Sequence, residues 1–135
     1  MTRCRAADVE AGPADARMGA YLDGQHHPQR ALAPRTALVA IEADDVVGYV
    51  AGHQTTRYDC DGELQYLYVA PAHRRRGVGA ELVRHLAQWF DRHTLLRVCV
   101  NADAGAEAFY VKLGAIELKP HWYVWDDIRA LLHRS

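Results

Sequence analysis

The segment QYLYVAPAHRRRGVGAELVRHLAQWF, Gln65 to Phe90, changes its apolar period halfway along, and that change constrains the fold more than any other feature of the chain. Up to Val69 the side chains alternate as across a strand. Glu63, Gln65, Leu67 and Val69 would share one face, and Leu64, Tyr66 and Tyr68 the other. Both faces are mostly apolar, as in a strand inside a sheet, and Pro71 ends the run. From Gly77 onward, Val78, Leu82, Leu86 and Phe90 recur at helical spacing, with Glu81, Arg84, His85 and Gln88 on the opposite side. RRRGVG is therefore a strand-to-helix turn, the joint of an α/β unit.

A second such unit follows, with LLRVCV as its strand and GAEAFYVKLG as a short helix capped by Gly114. That helix, beginning near Asp103 or Ala104, should turn Ala106, Phe109, Tyr110 and Leu113 toward the sheet. Upstream, TALVAIEADDVVGYVAGHQ reads as a hairpin joined at Glu42 to Asp45, although the turn lacks an Asn-Gly type of signal. Before it come a short extended start near Arg3 to Arg5, a helix from Pro13 to Gly24 and the polar loop GQHHPQRALAPR. HWYVWDDI suits a closing strand, with Asp126 and Asp127 turning into a brief terminal helix. At 135 residues, the expectation is one α/β domain spanning residues 1–135.

Charge and composition narrow the partners. A formal net charge of -1 gives little footprint for nucleic acid, and half the residues are hydrophobic, as in a globular chain. No apolar run approaches the roughly 18 residues needed to span a bilayer, and MTRCRAADVE lacks a secretory apolar core. The expectation is cytoplasmic, with no membrane and no nucleic-acid partner. Cys4, Cys60 and Cys99 are odd in number and far apart, so neither a disulfide framework nor a metal site is expected.

The loop itself suggests a ligand. A helix start presents unpaired N–H groups and partial positive charge, so Arg74 to Ala80 suits an anion, phosphate above all. Gly77 and Gly79 would let the backbone approach phosphate oxygens, while the arginines add charge-assisted hydrogen bonds. Tight-turn glycines and solvated arginines explain the hexapeptide alone equally well. The Walker lysine and hydroxyl are missing, as is the full Gly-x-Gly-x-x-Gly fingerprint.

LYVAPAHRRRGVGAELVRHL resembles the coenzyme A binding segment of the GNAT superfamily of N-acetyltransferases, with Arg74, Gly77 and Gly79 at the signature positions. NADAGAEAFYVKLGA resembles that family's second strand-helix unit through Ala106, Tyr110, Lys112, Leu113 and Gly114. Asp103 stands where the family often has Asn, and Ala115 where an aromatic is usual. The hairpin also fits the family order, so the likeness covers roughly the last hundred residues. It implies a central, mostly antiparallel sheet flanked by helices, acetyl-CoA as cosubstrate and transfer to a primary amine of a small molecule or protein. Leu67, Tyr68 and Val69 would contact the pantetheine arm, Arg74, Arg75, Arg76, Gly77, Val78, Gly79 and Ala80 the pyrophosphate, and Asp103 the cofactor.

Acetyl transfer to an amine needs a deprotonated nucleophile, a stabilised oxyanion and a proton for the departing thiolate. By resemblance, Glu63, eleven residues before Arg74, stands where some family members carry a general base. On the face of Leu67 and Val69 an apolar surround would make it a better proton acceptor. Tyr110 matches the family tyrosine near the cofactor sulfur. The oxyanion donor would be a backbone N–H of a splayed strand around Leu67 to Val69. His26, His27, His53, Asp59, Asp61 and His121 are further candidates for an acceptor groove, and the strand of Trp122, Tyr123 and Trp125 would put one aromatic face in the core and another at a surface that suits an acceptor wall or a homodimer contact. The competing reading is a domain that binds or senses coenzyme A without turnover.

Overall fold

The computed structural model describes residues 3–6 (backbone only), 32–103 and 105–132. The expected helix over 13–24, and with it His26 and His27, lies outside these residues. Among the described residues, seven strands form one mixed sheet in the order β1-β2-β3-β4-β5-β7-β6. They are β1 (Arg3–Ala6), β2 (Leu32–Glu42), β3 (Asp45–Gln54), β4 (Gly62–Val69), β5 (Val98–Asn101), β6 (Ile116–Lys119) and β7 (Trp122–Trp125). Only the β4–β5 pairing is parallel; every other neighbouring pair is antiparallel. Helix α1 spans Val78–Arg92 and α2 spans Glu107–Lys112.

The hairpin closes through Ala43 and Asp44, both left-handed at φ 50 and 71. Positive φ at both central residues is the mirror-image turn that matches strand twist, here without the usual glycine. Residues Leu32 to Arg35 depart from the expected loop, because β2 already begins at Leu32. A bulge opposite Gln54 and His53 accommodates Pro34, which has no N–H to give the ladder. β6 was not anticipated. Its residues are mostly exposed at the sheet's edge, so no apolar alternation marks it.

Helix α1 lies across β2, β3 and β4. Val78, Leu82, Leu86 and Phe90 are all nearly fully buried, as their spacing predicts, while Glu81 and Gln88 are exposed. The Phe90 ring fills the space left by two glycines of the sheet. A Cβ added to Gly52 or Gly62 would come within 2.9 or 2.5 Å of its ring. Among the described residues no helix is long and apolar enough to cross a membrane.

One irregularity sets the directions of the β4 side chains. Across β3 and β4, Ala51 faces Tyr66 but Gly52 faces Leu64, which leaves Gln65 as a bulge. The strand's alternation changes phase there. Leu64, Leu67 and Val69 all pack on the α1 side, whereas Tyr66 joins Tyr49, Ala37 and Ala51 on the other. Glu63, the neighbour of Leu64 before the bulge, therefore faces away from Leu67 and Val69. The single shared face expected from strict alternation is corrected on this point.

Candidate active site

β4 and β5 pair only through Gly62–Val98, Glu63–Cys99 and Leu64–Val100. Past the bulge they part, and a cleft of about 1230 Å³ opens on the α1 side between the end of β4, the start of α1 and α2. Leu67, Tyr68 and Val69 form one wall, and Phe109 and Tyr110 of α2 another. The Oε1 atom of Gln65 is buried without a hydrogen-bond partner at the bulge itself.

The outer end of the cleft is the turn into α1. Arg75 and Gly77 are left-handed, at φ 65 and 83, which breaks the backbone away from β4 and starts the helix at Val78. The helical ladder begins with Glu81 N–H donating to Gly77 O at 3.0 Å. The N–H groups of Val78, Gly79 and Ala80 thus have no acceptor one turn back, and Gly77 has no side chain to cap them. Such an end suits a phosphate. Gly79 is tightly placed, since a Cβ there would lie 3.3 Å from Phe109 and 3.7 Å from Val69. A Cβ on Gly77 would meet nothing within 4 Å, so that glycine serves its φ alone.

The predicted arginines separate. Arg74 and Arg75 line the cleft, with Arg74 Nε donating to Val69 O at 2.9 Å and so tying the loop to the strand end. Arg76 does not line it: its Nη1 lies 3.9 Å from Glu42, which is also 3.5 Å from His73 Nδ1. Val78 is buried in the core and can offer only its backbone. Arg84, which the apolar spacing put on the solvent side of its helix, and Lys112, noted only for matching the family pattern, also line the cleft, with Arg84 hydrogen-bonded to the lining residue Glu81. Arg84 was reachable in principle, being one helical turn beyond Ala80.

At the inner end, Tyr110 is buried against Phe109 at 5.1 Å and Trp125 at 5.9 Å between ring centroids. Trp125 Nε1 donates to Leu113 O at 3.1 Å, which fixes α2 on β7. Burial, helped by the charge of Asp103, pushes the Tyr110 phenol up to about 12. Asp103 is exposed and not a lining residue. Helix α2 begins at Glu107 rather than near Asp103, because Gly105 at φ 91 and the turn Ala106 N–H to Asp103 O precede it.

Glu63 lies on the other face of the sheet, buried, with Oε1 accepting from Arg57 Nε at 3.0 Å and 3.8 Å from His53 Nε2. Partial burial opposes the Arg57 charge, but the Glu63 carboxylate outweighs it and the guanidinium pKa is raised. Arg57 belongs to a short 3₁₀ turn, Arg57–Asp59, and stacks over Trp122 at 4.9 Å. Nothing in the sequence singled it out, since no periodicity marks that turn. Asp61 is engaged in holding the chain, its Oδ2 accepting from Arg97 N–H at 3.0 Å. Among the described residues no group of three or more His, Cys, Asp or Glu is placed to hold a metal ion.

The parted strands and the uncapped helix start leave an open cleft with free N–H groups at one end. The model of the acetyltransferase (GNAT) family matches residues 7–115, and the chain belongs to that family. No curated protein matches it in sequence. A GNAT-family protein from Desulfovibrio desulfuricans superposes with a TM-score of 0.70 at 17% identity, over 95% of this chain and 99% of that one. A mutant of the toxin AtaT, bound to the C-terminus of its antitoxin AtaR, superposes with 0.71 at 16% identity over 99% of each chain. A GNAT family acetyltransferase of Elizabethkingia anophelis with acetyl-CoA bound gives 0.65 at 14% identity, over 87% of this chain and 78% of its own.

Proposed function

We propose that the chain is a single-domain enzyme that transfers the acetyl group of acetyl-CoA directly to a primary amine. The observation that carries this reading is the cleft, with three unpaired helix-start N–H groups at one end and a protonated phenol at the other. Bound there, acetyl-CoA supplies an activated thioester. The residues at hand fit its parts. Val78, Gly79 and Ala80 offer N–H groups to a pyrophosphate, Arg75 offers charge, Arg84 shares its own with Glu81, and Leu67 to Val69 offer a strand edge to an extended amide-bearing arm.

The phenol at about 12 stays neutral near pH 7, so Tyr110 can donate a hydrogen bond to a leaving thiolate. Glu63 has its role on the opposite face. With the donor occupying the α1 side, the amine would enter from the face of Glu63, which would take its proton directly or through water. Arg57 holds that carboxylate in place. The test is thiol release from acetyl-CoA across an amine library, with acetylated product identified by mass. Turnover with any primary amine supports the proposal. Tight acetyl-CoA binding without release or product for any amine would replace it with a binding or sensing domain.

A further inference from the structure

Arg57 is only partly used by the contacts that hold it. Its Nε is pinned to Glu63, yet Nη1 and Nη2 carry no hydrogen bond to any described residue, and the side chain is 24% exposed. The root of the guanidinium is therefore fixed while its fork faces solvent. Trp122 lies under it at 4.9 Å, Tyr58 packs on Trp122 edge-on at 5.1 Å, and Lys119 Nζ sits 4.8 Å from the Tyr58 ring. Trp122 and Tyr58 pack with Cys60, Cys99 and Val124, the cluster on the sheet face away from α1. Arg57 thus lies against the carboxylate proposed to accept the amine's proton, and Lys119 lies further along the same aromatic floor.

We infer that Arg57 is an anion-recognising residue of the acceptor site and that the acceptor is a primary amine carrying a carboxylate or phosphate group. The inference rests on the reading of Glu63's face as the acceptor's side. Its physics is one of paired charges. The amine end is drawn to Glu63, and the anionic end meets a guanidinium already held by the Glu63 bond and the Trp122 ring. Little side-chain entropy is left to lose on binding. A diamine would instead bring its second positive charge against Arg57 and Lys119. Of the nearby acids, the Asp61 carboxylate is occupied by Arg97 N–H, and Asp59 is exposed on the same turn as Arg57.

The experiment compares matched acceptors, glycine with glycinamide and ethanolamine phosphate with ethanolamine, at equal free-amine concentration. In the wild-type protein kcat/KM should favour the anionic member of at least one pair by about tenfold or more, and the pair that responds tells carboxylate from phosphate. Arg57→Met should reduce that ratio about tenfold or more, and Lys119→Met less. Equal use of charged and neutral members by the wild type, or an unchanged ratio in a folded Arg57→Met variant, overturns the inference. Should Arg57→Met lose turnover altogether through Glu63, calorimetry of the same amines with coenzyme A present decides: the anionic member must lose affinity and the neutral one must not. If the wild type acetylates no amine, the transfer reading fails, while the calorimetric difference still tests the anion site.

Discussion

Removing a single oxygen from Tyr110 separates chemistry from packing at the inner end of the cleft. The Tyr110 ring is buried between Phe109 and Trp125, but its hydroxyl makes no hydrogen bond to any described residue. Tyr110→Phe therefore leaves no internal partner unsatisfied and should leave Tm near neutral pH almost unchanged. The effect on turnover follows from the phenol's acidity. With Tyr110 at about 12 and a reference thiol near 8.5, full proton transfer to the thiolate is uphill by roughly 5 kcal/mol. Tyr110 should thus act by donating a hydrogen bond to a charged sulfur, an interaction on the order of 1.5–3 kcal/mol. That predicts a fall in kcat of about 10- to 150-fold with acetyl-CoA, and a smaller one with a donor whose leaving thiol is more acidic. Steady-state thiol release with both donors measures it. Equal losses would assign Tyr110 to positioning, and unchanged kcat with both would refute the role outright.

The same substitution has an alkaline signature. The phenol pKa is raised in the folded state, from an ordinary 10 to about 12, so between those pH values the unfolded chain has lost a proton that the native one retains. Stability present below pH 10 is then lost as pH climbs, by about 3 kcal/mol in the full limit. Denaturant unfolding at pH 9 and pH 11.5 should show this loss in the wild type and a smaller loss in Tyr110→Phe.

The remaining expectations concern the loop, the opposite face and the core. Gly79→Val should weaken acetyl-CoA binding at least about tenfold by calorimetry, because its side chain would enter the gap between Phe109 and Val69. Gly77→Ala should instead lose about 1–2 kcal/mol of stability through its left-handed φ, with open space around the new methyl. Glu63→Gln should lower kcat by roughly a hundredfold near neutral pH with little change in acetyl-CoA affinity, and a wild-type rate and pH profile would point to another base. Gly62→Ala should destabilise by about 1–3 kcal/mol in thermal or denaturant melts, since its Cβ would fall 2.5 Å from Phe90 unless that ring shifts.

Much of this molecule is visible in its apolar periods and its glycines. The stripe Val78, Leu82, Leu86 and Phe90 fixes α1 and its buried face, and Gly114 at φ 98 ends α2 as its position suggests. Periodicity reports only what is half-buried in regular structure. β6 is mostly exposed, so it carries no alternation to read. The turn holding Arg57 is irregular, with Tyr58 and Asp59 both left-handed, and its importance comes from a contact six residues on in Glu63.

The bulge at Gln65 was the least legible element, because two residues opposing one is a property of a pair of strands and not of either alone. Its consequence reaches across the sheet. Without it, Glu63 and Leu67 would lie on one face, and the donor cleft and the carboxylate would compete for the same side. With it, Leu67 and Val69 turn toward α1 while Glu63 stays with Arg57 and Trp122 behind, just where β4 and β5 part. Under the proposed function, one unpaired residue would thus put the donor and the acceptor on opposite faces of a single opening, an arrangement suited to direct transfer between two bound molecules.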